Sequence, residues 1–115
     1  MILYTRTQGI ALTDELATHI DRQVRFALTR FAGRITRIHV QVENTEGPTQ
    51  GALKECRIRV GLRSRGSLVV KEHDQDVFSA VARAADRLGH AVARHLDRVR
   101  GTRRTRETRI IHDAV

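Results

Sequence analysis

The sequence predicts an α+β fold: a two-layer sandwich in the order β-α-β-β-β-α, with a four-stranded sheet and two helices packed on one face. Three observations lead there. Two segments repeat apolar residues at helical spacing. Two others alternate apolar and polar residues over ten or so positions, as half-buried strands do. Arg65-Gly66 then supplies a tight turn between the last two strands.

In chain order, residues 2–6 form a short β-like run. Thr13 has the place and chemistry of a helix N-cap, and Asp14 and Glu15 put negative charge in the first turn. The stripe Leu16, Ile20, Val24, Ala27, Leu28 and Phe31 follows, and Gly33 ends that helix. Residues 35–44 alternate, with Ile38, Val40 and Val42 inward and Arg37, His39, Gln41 and Glu43 outward. Residues 45–52 hold two Gly and the only Pro, the composition of a loop. Residues 53–63 alternate again, with Cys56, Ile58, Val60 and Leu62 inward and Glu55, Arg57, Arg59 and Arg63 outward. A strand over 67–73 completes the sheet, and Asp74 or Asp76 caps a long second helix that stops near Gly101. Residues 1–100 are therefore expected as the domain and 101–115 as a flexible Arg-rich tail, with Arg103, Arg104, Arg106 and Arg109.

The second helix carries two faces. Val77, Val81, Ala84, Leu88, Val92, Leu96 and Val99 fall on one side, and Arg83, Arg87, His90, Arg94 and Arg98 on another. At 100° per residue the stripes are roughly 135° apart, so one can bury against a sheet while the other presents guanidinium groups. Successive members of the basic row lie about 5–6 Å apart, close to the spacing of phosphates along a nucleic-acid strand.

Composition points the same way. The chain has 115 residues, 21 Lys+Arg against 13 Asp+Glu and a net charge of +8, an excess that implies a polyanionic partner, most often nucleic acid. Only Lys54 and Lys71 are lysines. The planar Arg fork binds phosphate bidentately and stacks on bases, so the bias favours RNA or DNA, although a GC-rich genome produces it too. Cys56 is the single cysteine, which excludes an intramolecular disulfide and suits a reducing, cytoplasmic setting. No apolar run approaches a signal peptide or the ~20 residues of a membrane span.

Catalysis has no recognisable machinery. His19, His39, His73, His90, His95 and His112 are scattered without zinc-ligand spacing, and no Gly-rich phosphate loop occurs. No enzyme activity, cofactor, metal or small-molecule substrate is expected. On the outer sheet face, Arg37, Arg57, Arg59 and Arg63 form a second basic patch unless Glu43 and Glu55 pair with them, and pairing is the expectation. Asp86 and Asp97 flank the helical stripe and are the expected partners of Arg83, His90 or Arg94. Phe26 lies off its helix's apolar stripe, on the side of Arg22; it can stack on a base, but rim packing is the expectation.

Two segments, GIALTDELATHIDRQVRFALTRF and HDQDVFSAVARAADRLGHAVARHLDR, resemble the ribosome hibernation-promoting and ribosome-associated inhibitor factors of bacteria. In the second, Asp76, Val77, Phe78, Ala80 and Val81 match the family's helix start, and Arg87, Leu88, His90, Val92 and Arg94 its basic part. The resemblance implies a βαβββα fold similar to double-stranded-RNA-binding domains. It implies binding in the decoding region of the small ribosomal subunit and its rRNA, where mRNA and tRNA are occluded. It implies two basic helices as the contact surface, carried here by Arg22, Arg87, His90 and Arg94. Gln23 and Phe26 stand where relatives are basic, Arg25 and Arg30 are slightly out of that register, and His90 replaces a usual Arg. The chain resembles a short form without the C-terminal dimerisation domain, a monomer when free. The candidate rRNA-binding set is Arg22, Arg25, Arg30, Arg83, Arg87, His90, Arg94 and Arg98. The alternative is a basic adaptor that binds protein partners or another RNA without silencing ribosomes.

Overall fold

The computed structural model describes residues 1–47, 51–64 and 66–113, with side chains at 46, 47, 51, 52 and 100–113 outside the description. The elements run β1 (Ile2–Gln8), α1 (Asp14–Leu28), a 3₁₀ turn (Thr29–Arg34), β2 (Ile35–Gly47), β3 (Gly51–Leu62), β4 (Ser67–Asp74) and α2 (Val77–Asp113). The sheet has the order β1-β2-β3-β4. β1 runs parallel to β2, with α1 as the crossover, and the other neighbours are antiparallel. Both helices cover one face, as the alternation predicts.

That face holds the core. Ile38, Val40 and Val42 from β2 and Cys56, Ile58, Val60 and Leu62 from β3 are buried, together with Leu16, Ile20, Val24 and Leu28 from α1. α2 contributes Ala80, Val81, Ala84, Ala85, Leu88, Val92 and Leu96, and the small residues Ala82, Ala85 and Gly89 line its side toward α1. Gly89 continues that contact: a Cβ there would lie 3.2 Å from the Ala27 carbonyl oxygen. His19 adds a polar tie, its Nε2 donating to the Phe78 carbonyl at 2.9 Å while its ring meets Phe78 edge-on. No polar or charged side chain is buried among the described residues. Burial, with the Glu55 charge adding to it, pushes the Cys56 thiol up to about 12, which leaves it protonated and inert.

The helix starts follow the expected chemistry. Thr13 Oγ1 accepts from the Leu16 N–H at 3.1 Å. Asp76 caps α2, accepting from the Ser79 N–H at 3.1 Å and from the Ser79 hydroxyl at 2.9 Å. Asp74 sits two residues earlier, accepting from the Asp76 N–H at 2.9 Å.

Three boundaries differ from the sequence reading. First, α1 ends at Leu28 and Arg30 lies in the 3₁₀ turn, because the chain must reverse into β2. The Thr29 hydroxyl donates to the Arg25 carbonyl at 2.7 Å and satisfies a last-turn acceptor. Second, the span expected as a loop at 45–52 belongs mostly to the β2–β3 ladder, which continues through Thr45↔Leu53, Glu46↔Ala52 and Gly47↔Gly51. Strand pairing outweighs the local preference of two glycines there. Pro48 lies outside the described residues. Third, the α2 backbone does not stop near Gly101 but continues to Asp113. One interior glycine costs only about 1 kcal/mol relative to Ala, too little to end a helix with no proline behind it. The side chains of the expected tail lie outside the described residues.

Leu88 of α2 is fully buried in the core cluster shared by the helices and the sheet. Leu88→Ala should destabilise the domain by about 2–5 kcal/mol in urea unfolding. Native Cys56 should at the same time become measurably more reactive toward iodoacetamide, because opening becomes more frequent.

Candidate nucleic-acid interface

The basic row of α2 is real, and its two ends are in different electrostatic states. Glu72 and Asp74 share the inward parity of Val70 on β4, so at the strand's end they point toward the helix layer. There they meet the first two arginines of the row. Arg83 Nη1 donates to Asp74 Oδ2 at 3.3 Å. Arg87 Nη1 donates to Glu72 Oε1 at 3.1 Å and to the Lys71 carbonyl at 3.2 Å. His90 faces Asp86 at 3.7 Å, an open contact one helical turn away. Arg94 and Arg98 are exposed and make no ion pair among the described residues. The braced pairs are solvent-exposed and are worth about 0–1 kcal/mol each, so a phosphate can displace the carboxylates while the guanidinium groups stay pre-positioned.

Asp74 is held below the ordinary aspartate value first by the Asp76 N–H and then by Arg83. The cap of α2 and the first arginine of the row are thus linked through one carboxylate.

Arg83, Arg87, His90 and Arg94 surround one open depression of about 430 Å³, together with Glu72 and Asp86. His90 also borders a groove of about 300 Å³ between α1 and α2, lined by Gln23, Phe26, Ala27, Arg30, Asp86 and Gly89 among others. The structure therefore joins Arg30 to the α2 row through His90. Arg30 itself lies 4.8 Å over the Phe31 ring. Arg22 is exposed without an ion pair among the described residues, and Arg25 is tied to Asp21 at 2.7 Å and reaches the Met1 carbonyl at 3.5 Å. Arg22, Arg25 and Arg98 line neither the depression nor the groove.

Two sequence expectations change here. Phe26 does not pack on the rim; it is 84% exposed at the mouth of the interhelical groove, because the close approach of α1 and α2 leaves no room inside. Of the partners expected for Asp86, His90 meets it, while Arg83 pairs with Asp74; Glu72 as the partner of Arg87 went unseen. The parity of residues 68–74, extended from Leu68 and Val70, was the signal that could have found both acids. On the outer sheet face the expected pairing also fails: Glu55 goes to Lys71 at 3.6 Å and His73 at 3.1 Å, and Glu43 accepts from Gln41 at 3.4 Å. Arg37, Arg57, Arg59 and Arg63 are left without carboxylate partners among the described residues. Also among these residues, no three His, Cys, Asp or Glu side chains group as a metal site, and no helix is long and apolar enough to cross a membrane.

Residues 4–100 match the family described as Sigma 54 modulation protein / S30EA ribosomal protein. The chain belongs to this family of ribosome-associated factors. The match runs from Tyr4 in β1 to Arg100 in α2. The fold is similar to the N-terminal domain of Protein Y from Thermus thermophilus, at 24% identity and a TM-score of 0.69, covering 83% of this chain and 99% of that one. It is also similar to a ribosomal subunit interface protein from Coxiella burnetii, at 15% identity and a TM-score of 0.69, covering 84% and 99%. Among curated protein sequences none matches this chain. The family expected from the two sequence segments is thus the family found, and the βαβββα sandwich is its fold.

The Asp74 linkage can be measured. Arg83→Ala should raise the Asp74 pKa partway toward the ordinary value of about 3.9, since the Asp76 N–H remains. Its lowered folded value means that the stability it contributes is present above about pH 3.9 and is lost as pH falls through the folded value. Carboxyl carbon NMR titration of wild type and variant should show the shift at Asp74 and not at Asp97.

Proposed function

We propose that this protein silences idle ribosomes by binding the small ribosomal subunit in its decoding region and occluding mRNA and tRNA. The mechanism is occupation of a site and involves no chemistry on a substrate. The observation that carries the reading is the depression of Arg83, Arg87, His90 and Arg94 on α2 in a chain of the S30EA family. Arg94 and Arg98, which make no ion pair among the described residues, approach phosphate directly, while Arg83 and Arg87 exchange carboxylate for phosphate. Arg22, Arg25 and Arg30 extend the basic surface onto the α1 side, and Phe26 offers a ring to an unstacked base. The Coxiella relative's description as a ribosomal subunit interface protein supports the same placement. The role belongs to a cytoplasmic stress or stationary-phase response and to a chain that is a monomer when free. Arginines 103, 104, 106 and 109 add affinity as an electrostatic arm.

Sucrose-gradient sedimentation of lysate tests the reading directly. The protein should co-migrate with small subunits and monosomes. Purified small-subunit binding should fall with a log–log salt slope of about −3 to −5, the release expected for four to six phosphate contacts. Absence from all ribosomal fractions would leave the basic adaptor as the better reading, and a flat salt response would exclude phosphate-led recognition.

Arg87→Ala combined with Arg94→Ala should abolish inhibition in a reconstituted translation assay. Only Arg87 makes an ion pair, an exposed one, so thermal unfolding should shift by no more than about 1 kcal/mol. Full inhibition by a folded double variant would show that another surface makes the contact.

A further inference from the structure

The sheet face opposite the helices is uncovered, and its side chains are ordered in rows. Across one row stand Tyr4, His39, Arg59 and Val69; across the next stand Arg6, Gln41, Arg57 and Lys71. Rows on one face of a strand repeat every two residues, about 6.5 Å apart. Ile2 and Arg37 begin the row on the other side of Tyr4. The Tyr4 and His39 rings are stacked, with centroids 5.1 Å apart and planes 15° from parallel. Tyr4 lies on an edge strand and is 48% exposed, so no strand of the sheet lies beyond it. Tyr4, Arg6, His39, Gln41, Arg57 and Arg59 line a shallow cavity of about 450 Å³. The two acids of this face lie one row further on, at Glu43 and Glu55, and Glu55 is taken by Lys71 and His73. Arg6, Arg37, Arg57 and Arg59 therefore surround the ring pair without carboxylate partners among the described residues.

We infer that this open sheet face is a second nucleic-acid surface, which seats a short single-stranded RNA segment with a base stacked on the Tyr4–His39 pair and its flanking phosphates on Arg6, Arg57 and Arg59. Cations alone fit an acidic peptide equally well. The stacked rings at their centre do not, because a peptide carboxylate gains nothing from an aromatic face. An aromatic platform inside a basic field is the arrangement that holds unpaired bases, and a four-stranded sheet with helices on its back is a scaffold known to present one. Duplex RNA is a poor fit, since its bases are already stacked. RNA is the source at hand for a member of a ribosome-associated family. The surface is separate from the α2 depression, so it stands or falls independently of ribosome silencing.

Tyr4 is the only tyrosine and the chain has no tryptophan, so its fluorescence reports this one position. Titration of the full chain with a short oligoadenylate should quench that fluorescence at saturation. The quench should persist in the Arg94→Ala, Arg98→Ala variant, where helix contacts are weakened. His39→Ala should weaken binding about fivefold or more, the loss expected for one stacking contact. Arg57→Ala with Arg59→Ala should weaken it further and lower the salt slope by about 1–2. Circular dichroism should be unchanged in each, since all three side chains are exposed. Binding without quenching, equal quenching by duplex RNA, or displacement of the oligomer by polyglutamate at equal charge concentration would each overturn the inference; the last would identify an acidic peptide as the occupant.

Discussion

Gly89 brings α2 so close to α1 that a single added methyl would press on the Ala27 carbonyl. That approach is what allows two helices to share one face of a four-stranded sheet, with Ala82 and Ala85 lining the seam beside Gly89. The rest of the surface follows from it. The apolar stripes of both helices are used up between helix and sheet, so the basic row of α2 has to face outward. Phe26 cannot enter the seam and is left at its mouth beside His90. Among the described residues no layer covers the opposite sheet face.

The net charge of +8 is not spread evenly in its effect. On α2 the row is anchored where it passes the end of β4 and free where it leaves the sheet behind, so Arg83 and Arg87 are pre-oriented and Arg94 and Arg98 are not. Pre-orientation by weak surface pairs costs little to undo and reduces the side-chain entropy lost when phosphate arrives. A surface of this kind suits a folded polyanion of fixed shape.

The two basic surfaces differ in kind. The helical one is a line of cations with one exposed ring nearby, suited to a backbone that is already shaped. The sheet one is a compact field around a stacked pair, suited to a strand whose bases are unpaired. Carboxylates act differently on the two: Glu72 and Asp74 brace the first arginines of the helix row, while Glu55 is held by Lys71 and His73 and leaves the sheet arginines alone.

The amino-acid sequence by itself determined the elements, their order, the buried stripe of each and the outward row Arg83, Arg87, His90, Arg94 and Arg98. These depend on periods of 2 and 3.6 residues, which are local and can be counted along the chain. Thr13 and the Asp74–Asp76 pair were legible for the same reason, since capping acts over three or four residues. Only the tertiary structure decided which acid meets which arginine. Arg83 has Asp86 three residues away yet pairs with Asp74 across the layer, and Glu55 faces Arg57 in sequence but Lys71 and His73 in space. It also decided that the β2–β3 ladder runs on through Thr45 to Gly47 and that α2 passes Gly101, because pairing already begun extends past residues of poor local propensity. Register and layer placement are set by contacts between residues far apart in the chain, and no local period carries that information.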